Sequence, residues 1–222
     1  HKFMVRFKNT NNKDILIFIS DLIRKIFRGD RLKRISIQIS KLLNQIHKEK
    51  KKKLIVLDFG CGSMELSKLI QKKIFIKKII GTDTFEYNFK KEKLEYLSKT
   101  KFLKKKIKFD AIIIVDVLHH IGIDKAWKIL SQLSKSSDCI IVKDHFEHGF
   151  FSRHLLRFVD FYANYAYGVN IPDKYFDKNS WNKIFKKIKL KEKFHVSPFQ
   201  QHDGIFNFIL NKKHHFVSLL KK

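Results

Sequence analysis

Cysteine is nearly absent from this chain. Cys61 and Cys139 are the two in 222 residues, too few for a disulfide framework and typical of a reducing compartment, so a cytoplasmic location is expected. Long apolar runs are missing too. None reaches the ~20 residues that a membrane-spanning helix requires. The stretch Ile15–Ile19 is short and interrupted by Ser20 and Asp21, unlike a secretory leader. Acidic residues are scarce: 21 stand against 48 Lys and Arg, for a net charge of +27. Such a balance draws attention to nucleic acid or to an anionic membrane. Yet Arg, whose planar fork suits phosphate, supplies only seven of those 48 cations. The lysines are scattered through Lys48–Lys53, Lys104–Lys108, Lys186–Lys193 and Lys212–Lys213. With abundant Ile, Phe and Asn, they follow the composition of an AT-rich genome. Nucleic acid is therefore not expected as a partner, and weak association with an anionic membrane surface is the charge-driven alternative.

A chain of 222 residues suits one domain with a three-layer core. Apolar spacing predicts helices over 13–27 and 31–48, separated at Gly29-Asp30, as an N-terminal helical extension within residues 1–50. Residues 51–143 then read strand 54–58, helix 64–73, strand 78–83, a weak strand near 93–97, strand 110–115, helix 124–134 and strand 139–143. This βαβ alternation implies an α/β fold, a parallel sheet with helices on both faces. Residues 144–176 are too long for a simple connection and read as a substrate-site insertion. Residues 177–222 supply a last helix and an antiparallel hairpin, with strands at Glu192–Ser197 and Ile205–Asn211 around a polar Gln200–Gly204 turn.

The segment Leu54-Ile-Val-Leu-Asp-Phe-Gly-Cys-Gly-Ser-Met-Glu65 carries the most chemical information. A buried strand turns tightly into a helix, with Gly60 and Gly62 where the backbone must approach a ligand. Asp83 closes the next strand, placed to accept hydrogen bonds from both hydroxyls of a ribose. Together they predict an adenosine-containing cofactor across the strand tips. A dinucleotide fingerprint would need a third glycine where Glu65 stands, and Glu65 and Asp58 would repel a pyrophosphate. Asp58 suits a cation instead, such as the amino group and sulfonium of S-adenosylmethionine.

The segment resembles the first motif of class I S-adenosylmethionine-dependent methyltransferases, Asp-x-Gly-x-Gly-x-Gly, with Met64 in place of the third glycine and adding bulk near the methionine end of the cofactor. Phe109–Ile121 resembles the fourth strand and following turn of the same superfamily, in its small-molecule and lipid branch. Base-modifying relatives carry Asn/Asp-Pro-Pro-aromatic at that strand end, and here Asp116-Val117-Leu118-His119 holds no proline. The resemblance implies a Rossmann-like fold with a mostly parallel seven-stranded sheet ending in an antiparallel hairpin. It further implies S-adenosylmethionine as cofactor, held by Asp58, Gly60, Cys61, Gly62 and Ser63 around its methionine end. Asp83 and Thr84 would read the ribose, and Asp116 with Val117 would flank the cofactor. The adenine reader is not identifiable; Tyr96 and Ser98 stand nearest. The implied activity is methyl transfer to a small-molecule or lipid-like acceptor, with an RNA methyltransferase or a non-catalytic cofactor-binding module as the alternatives.

Lys143-Asp144-His145, followed by an aromatic helix and the turn Gly168-Val169-Asn170-Ile171-Pro172, resembles a bacterial type-11-like branch of these enzymes. In-line methyl transfer requires alignment, exclusion of water and often removal of a proton. Histidine is the natural base near neutral pH. His145 is the first candidate, with Asp144 orienting it or binding substrate. His119 and His120 follow the fourth strand, where contacts to the cofactor are expected. No histidine shares metal-ligand spacing with Cys61 or Cys139, so no zinc site is expected. Acceptor identity and oligomeric state are not written in these motifs.

Overall fold

The computed structural model describes residues 10–84, 90–104, 107–164, 171–188, 190–202 and 212–222. Helix α1 runs from Thr10 to Lys50 without interruption, so the predicted break at Gly29-Asp30 does not occur. A glycine inside a helix costs about 1 kcal/mol, too little to end a helix anchored by its neighbours. That anchoring comes from Ile35, Ile39, Leu42, Leu43 and Ile46, all buried and spaced to form one stripe.

The chain then alternates as predicted: β1 (Leu54–Phe59), α2 (Glu65–Ile70), β2 (Ile76–Thr82), β3 (Lys90–Lys91), β4 (Leu94–Tyr96), α3 (Lys99–Lys104), β5 (Ala111–Val115), α4 (Ile123–Leu133) and β6 (Cys139–His145). After it come α5 (Phe150–Asn164), α6 (Lys178–Lys187), β7 (Lys191–Val196) and β8 (His215–Lys221). Asp177 caps α6, its carboxylate accepting from the Ser180 amide at 2.6 Å. The sheet order is β3-β4-β2-β1-β5-β6-β8-β7. Strands β4, β2, β1, β5 and β6 are parallel, and β8 lies antiparallel to both β6 and β7. Six of the seven predicted strands are present among the described residues, and the sheet also holds β8 and, at its edge, the two-residue β3. The predicted hairpin partner Ile205–Asn211 falls wholly within residues 203–211, outside the described residues. The strand that pairs with β7 is β8, four residues beyond.

Two apolar layers follow the period-two alternation of the strands. Val56, Ile79, Ile113, Ile141 and Leu219 meet α1 and α2 on one face. Leu57, Ile112, Ile140, Val142 and Leu220 meet α4 and α6 on the other. The C-terminal half of α1 is therefore a load-sharing part of the core rather than an appendage. The order reverses direction at β1, which is flanked by β2 and β5. A crevice opens outside the C-terminal ends of strands at such a switch point. Because Leu43 is fully buried in the α1 layer, Leu43→Ala is expected to cost about 2–5 kcal/mol, measured by urea denaturation of the full chain.

Candidate active site

Beyond β1 the backbone turns through Gly60 at φ +76° and Gly62 at φ +49°, left-handed values that suit glycine. At Gly60 space matters as well: a Cβ would lie 2.3 Å from Val117 Cγ2, so the tips of β1 and β5 close only around glycine. Among the described residues, a Cβ on Gly62 would meet nothing within 4 Å, so they leave that face of the loop open. The Gly60 and Cys61 amides both donate to the Thr82 carbonyl, at 2.8 and 3.2 Å, tying the loop to β2. Asp83 completes the clasp. Its Oδ2 accepts from the Gly62 amide at 2.7 Å and its Oδ1 from the Thr84 amide at 2.6 Å. Tyr96 reaches the same place from β4, its hydroxyl donating to the Asp83 carbonyl at 3.3 Å. Ser63 lies in the turn that the Met64 amide closes onto the Cys61 carbonyl at 2.9 Å.

Met64 occupies φ +59° as the N-cap of α2, a conformation that explains why a glycine belongs at this motif position. Its side chain does not crowd the cofactor end as expected. It turns inward, fully buried, with its sulfur and terminal methyl against Gly81. Asp58 is buried beneath the loop and accepts from Ser67 Oγ at 2.6 Å. Burial, aided by the charge of Asp83 and opposed by the Ser67 bond, raises its pKa to about 6. Burial also pushes the Cys61 thiol far up, with Asp58 and Asp83 adding to the effect. The loop thus carries a negative field with an open face, which fits a cationic, ribose-bearing cofactor.

The other half of the crevice lies at the ends of β5 and β6. Asp116, at φ +53°, receives Lys143 Nζ on both carboxylate oxygens, at 2.6 and 2.9 Å, and the Arg31 guanidinium from α1. Burial would raise the Asp116 pKa, but Lys143 and then Arg31 hold it well below the usual carboxylate range. Asp116 is thus engaged by cations within the protein, and Val117 is the side chain that meets the glycine loop.

The histidines gather beside this ion pair. His119, in the one-turn helix Leu118–His120, has Nδ1 2.6 Å from Asp144 Oδ1. Asp144, expected to orient His145, instead pairs most closely with His119. It also accepts from the His145 amide at 2.9 Å, while His145 Nδ1 stands 3.5 Å away. Burial would lower the His119 pKa, and Asp144, followed by Asp160, raises it instead. His145 Nε2 is buried without a hydrogen-bond partner among the described residues, and Trp181 Nε1 fixes the strand end by donating to the His145 carbonyl at 3.1 Å. The His120 ring lies tilted at 48° to the His119 ring, with centroids 3.9 Å apart. Sequence patterning alone did not reveal Arg31, Asp160, Tyr175 or His215, which come from distant elements. His215 lies 6.3 Å from His145, ring to ring.

The profile of the family described as "Methyltransferase domain" matches residues 29–191. The chain belongs to that family, and its sheet order and glycine loop make it a class I S-adenosylmethionine-dependent methyltransferase. No curated protein sequence matches it. Among solved structures, it is similar to the plantazolicin methyltransferase BpumL in complex with S-adenosylhomocysteine, with a TM-score of 0.63 at 16% identity over 97% of this chain and 92% of that one. It is also similar to the Burkholderia thailandensis 1,6-didemethyltoxoflavin-N1-methyltransferase, with a TM-score of 0.62 at 12% identity, covering 95% of this chain and 87% of that one. A cyclopropane-fatty-acyl-phospholipid synthase-like protein from Lactobacillus casei gives a TM-score of 0.59 at 11% identity, over 95% of this chain and all of that one (100%).

The raised pKa of Asp58 has a defined sign. The folded chain holds this proton more tightly than the unfolded chain, so the stabilisation is full below the unfolded value of 3.8 and is lost as pH rises to about 6. Relative to Asp58→Asn, the unfolding free energy of the wild type should fall by about 2 kcal/mol between roughly pH 4 and pH 7, measured by denaturant titration across that range.

Proposed function

We propose that this enzyme transfers the methyl group of S-adenosylmethionine to a small-molecule or lipid-like acceptor bound between the end of β6 and α5. The observation that carries the reading is the Asp83 clasp: a carboxylate at the β2 tip, hydrogen-bonded to the Gly62 amide at 2.7 Å, beside a loop face that the described residues leave open. Asp83 and Thr84 hold the ribose, and the Asp58–Ser63 segment surrounds the methionine end. Asp58 acts there through its charge, because its carboxylate is turned beneath the loop. Asp116 positions Val117 against the cofactor. When bound, the cofactor supplies an electrophilic methyl on a sulfonium.

His145 serves as the acceptor's base. Its Nε2 is buried and has no hydrogen-bond partner among the described residues, and its backbone is held at both ends, by Asp144 on its amide and Trp181 on its carbonyl. The neighbours named for toxoflavin and plantazolicin methylation support a small-molecule acceptor. Phe150 and Phe151, 67% and 88% exposed at the start of α5, give this side of the molecule an apolar rim suited to a lipid-like one.

Asp83→Ala is expected to abolish measurable S-adenosylhomocysteine binding in calorimetry while leaving the circular dichroism spectrum intact; unchanged affinity refutes the ribose assignment. His145→Ala should retain cofactor affinity and lower methyl incorporation into a total lipid and small-molecule extract by about 10²-fold or more. Undiminished incorporation removes His145 as the base.

A further inference from the structure

We propose that His119, His120 and Asp160 form a site for a divalent first-row transition cation, with Zn2+ the best match, at the acceptor end of the crevice. Spacing along the chain conceals this set, because Asp160 comes from α5 and the two histidines from the turn after β5. In space, one donor atom from each residue lies within 4.8 Å of the others. Two imidazoles and a carboxylate are donors suited to Zn2+.

Four further observations point to a cation. Asp144, wholly buried, takes the Nδ1 side of His119 at 2.6 Å. With the proton on Nδ1, that bond leaves Nε2 as the free donor on the Asp160 side, as in the carboxylate–histidine–metal arrangement that orients a ligand. His119 Nε2 is buried with no hydrogen-bond partner among the described residues. It stands 3.6 Å from Asp160 Oδ2, too far for a strong hydrogen bond. That gap is close to the separation of about 3.3 Å between neighbouring ligands of a tetrahedral ion with bonds of about 2.0 Å. Finally, Tyr175 donates its hydroxyl to that same oxygen, Asp160 Oδ2, at 2.6 Å, holding the carboxylate in place while its remaining lone pairs stay available. A second triad, His119–Asp144–His145, is wholly buried, but there the Asp144–His119 hydrogen bond already joins the donor atoms.

His120 and Asp160 are only partly buried, so the ion has a route in. Three protein ligands also leave one position for an oxygen or nitrogen of the acceptor, the pattern of catalytic rather than structural zinc. This last role, but not the site, rests on the methyl-transfer reading.

The test uses the full chain, stripped with chelator and titrated with Co2+ followed by visible absorption, then with Zn2+ in a calorimeter. The wild type should bind one equivalent of Co2+ with the intense bands of tetrahedral coordination. His120→Ala and Asp160→Asn should each weaken Zn2+ binding at least tenfold, and Asp144→Asn by about 10–100-fold. S-adenosylhomocysteine affinity, measured separately, reports that each variant is folded and keeps a failure of the cofactor reading distinct from a failure of this one. Absence of tetrahedral bands at one equivalent of Co2+, or unchanged Zn2+ affinity in His120→Ala, overturns the proposal.

Discussion

The crevice depends on one buried ion pair. Lys143 sits on a central strand with 1% of its surface exposed, where an unpaired ammonium would cost several kcal/mol. Its Nζ lies on both oxygens of Asp116, and the Asp116 amide donates to the Lys143 carbonyl at 2.9 Å. The tips of β5 and β6 are therefore locked together by charge and by backbone. Burial presses the Lys143 pKa down, Asp116 holds it up, and Arg31 adds a second cation that pulls it lower. Arg31 belongs to α1, so the same carboxylate also fastens the N-terminal helix over the strand ends.

From that lock the geometry of both halves of the site follows. Asp116 takes a left-handed backbone conformation, and the next residue, Val117, presents its methyl groups to Gly60 at a distance no side chain there would tolerate. The turn after it carries His119 and His120 back against β6. All seven residues of β6 are buried, and its last three, Lys143, Asp144 and His145, are polar. Each is buried against a partner: Asp116, His119 and, for the His145 backbone, Trp181. Glu147 continues the pattern, taking the Arg153 side chain on one oxygen and the Tyr175 amide on the other. It secures the first turn of α5 and the segment bearing Tyr175, and these in turn place Asp160.

Local rules and tertiary context disagree in a few places. Gly29-Asp30 reads as a helix break because glycine is a poor helix former, but the cost of one glycine is small beside a continuous buried stripe downstream. Met64 reads as an intrusion on the cofactor, yet its left-handed backbone turns the side chain into the core against Gly81. Asp144 reads as the partner of its neighbour His145. Adjacent residues on a strand point to opposite faces, and the histidine that reaches Asp144 most closely comes from the neighbouring strand's turn.

The strand pattern, the Asp58–Gly62 loop and Asp83 were legible in the amino-acid order because each is a local demand. Buried strands need unbroken apolar runs, a tight turn needs glycine, and the carboxylate at the β2 tip that holds the Gly62 amide lies one βα unit away in the chain. That much sufficed for the fold class and the cofactor type. The charged and histidine-rich half of the crevice was decided only by folding. Arg31, Asp116, Lys143 and Asp160 lie far apart in the chain, and nothing in their sequence neighbourhoods marks them as partners. Charges become specific to one another only when burial removes the water that would otherwise screen them, and the packing of the whole domain sets that burial.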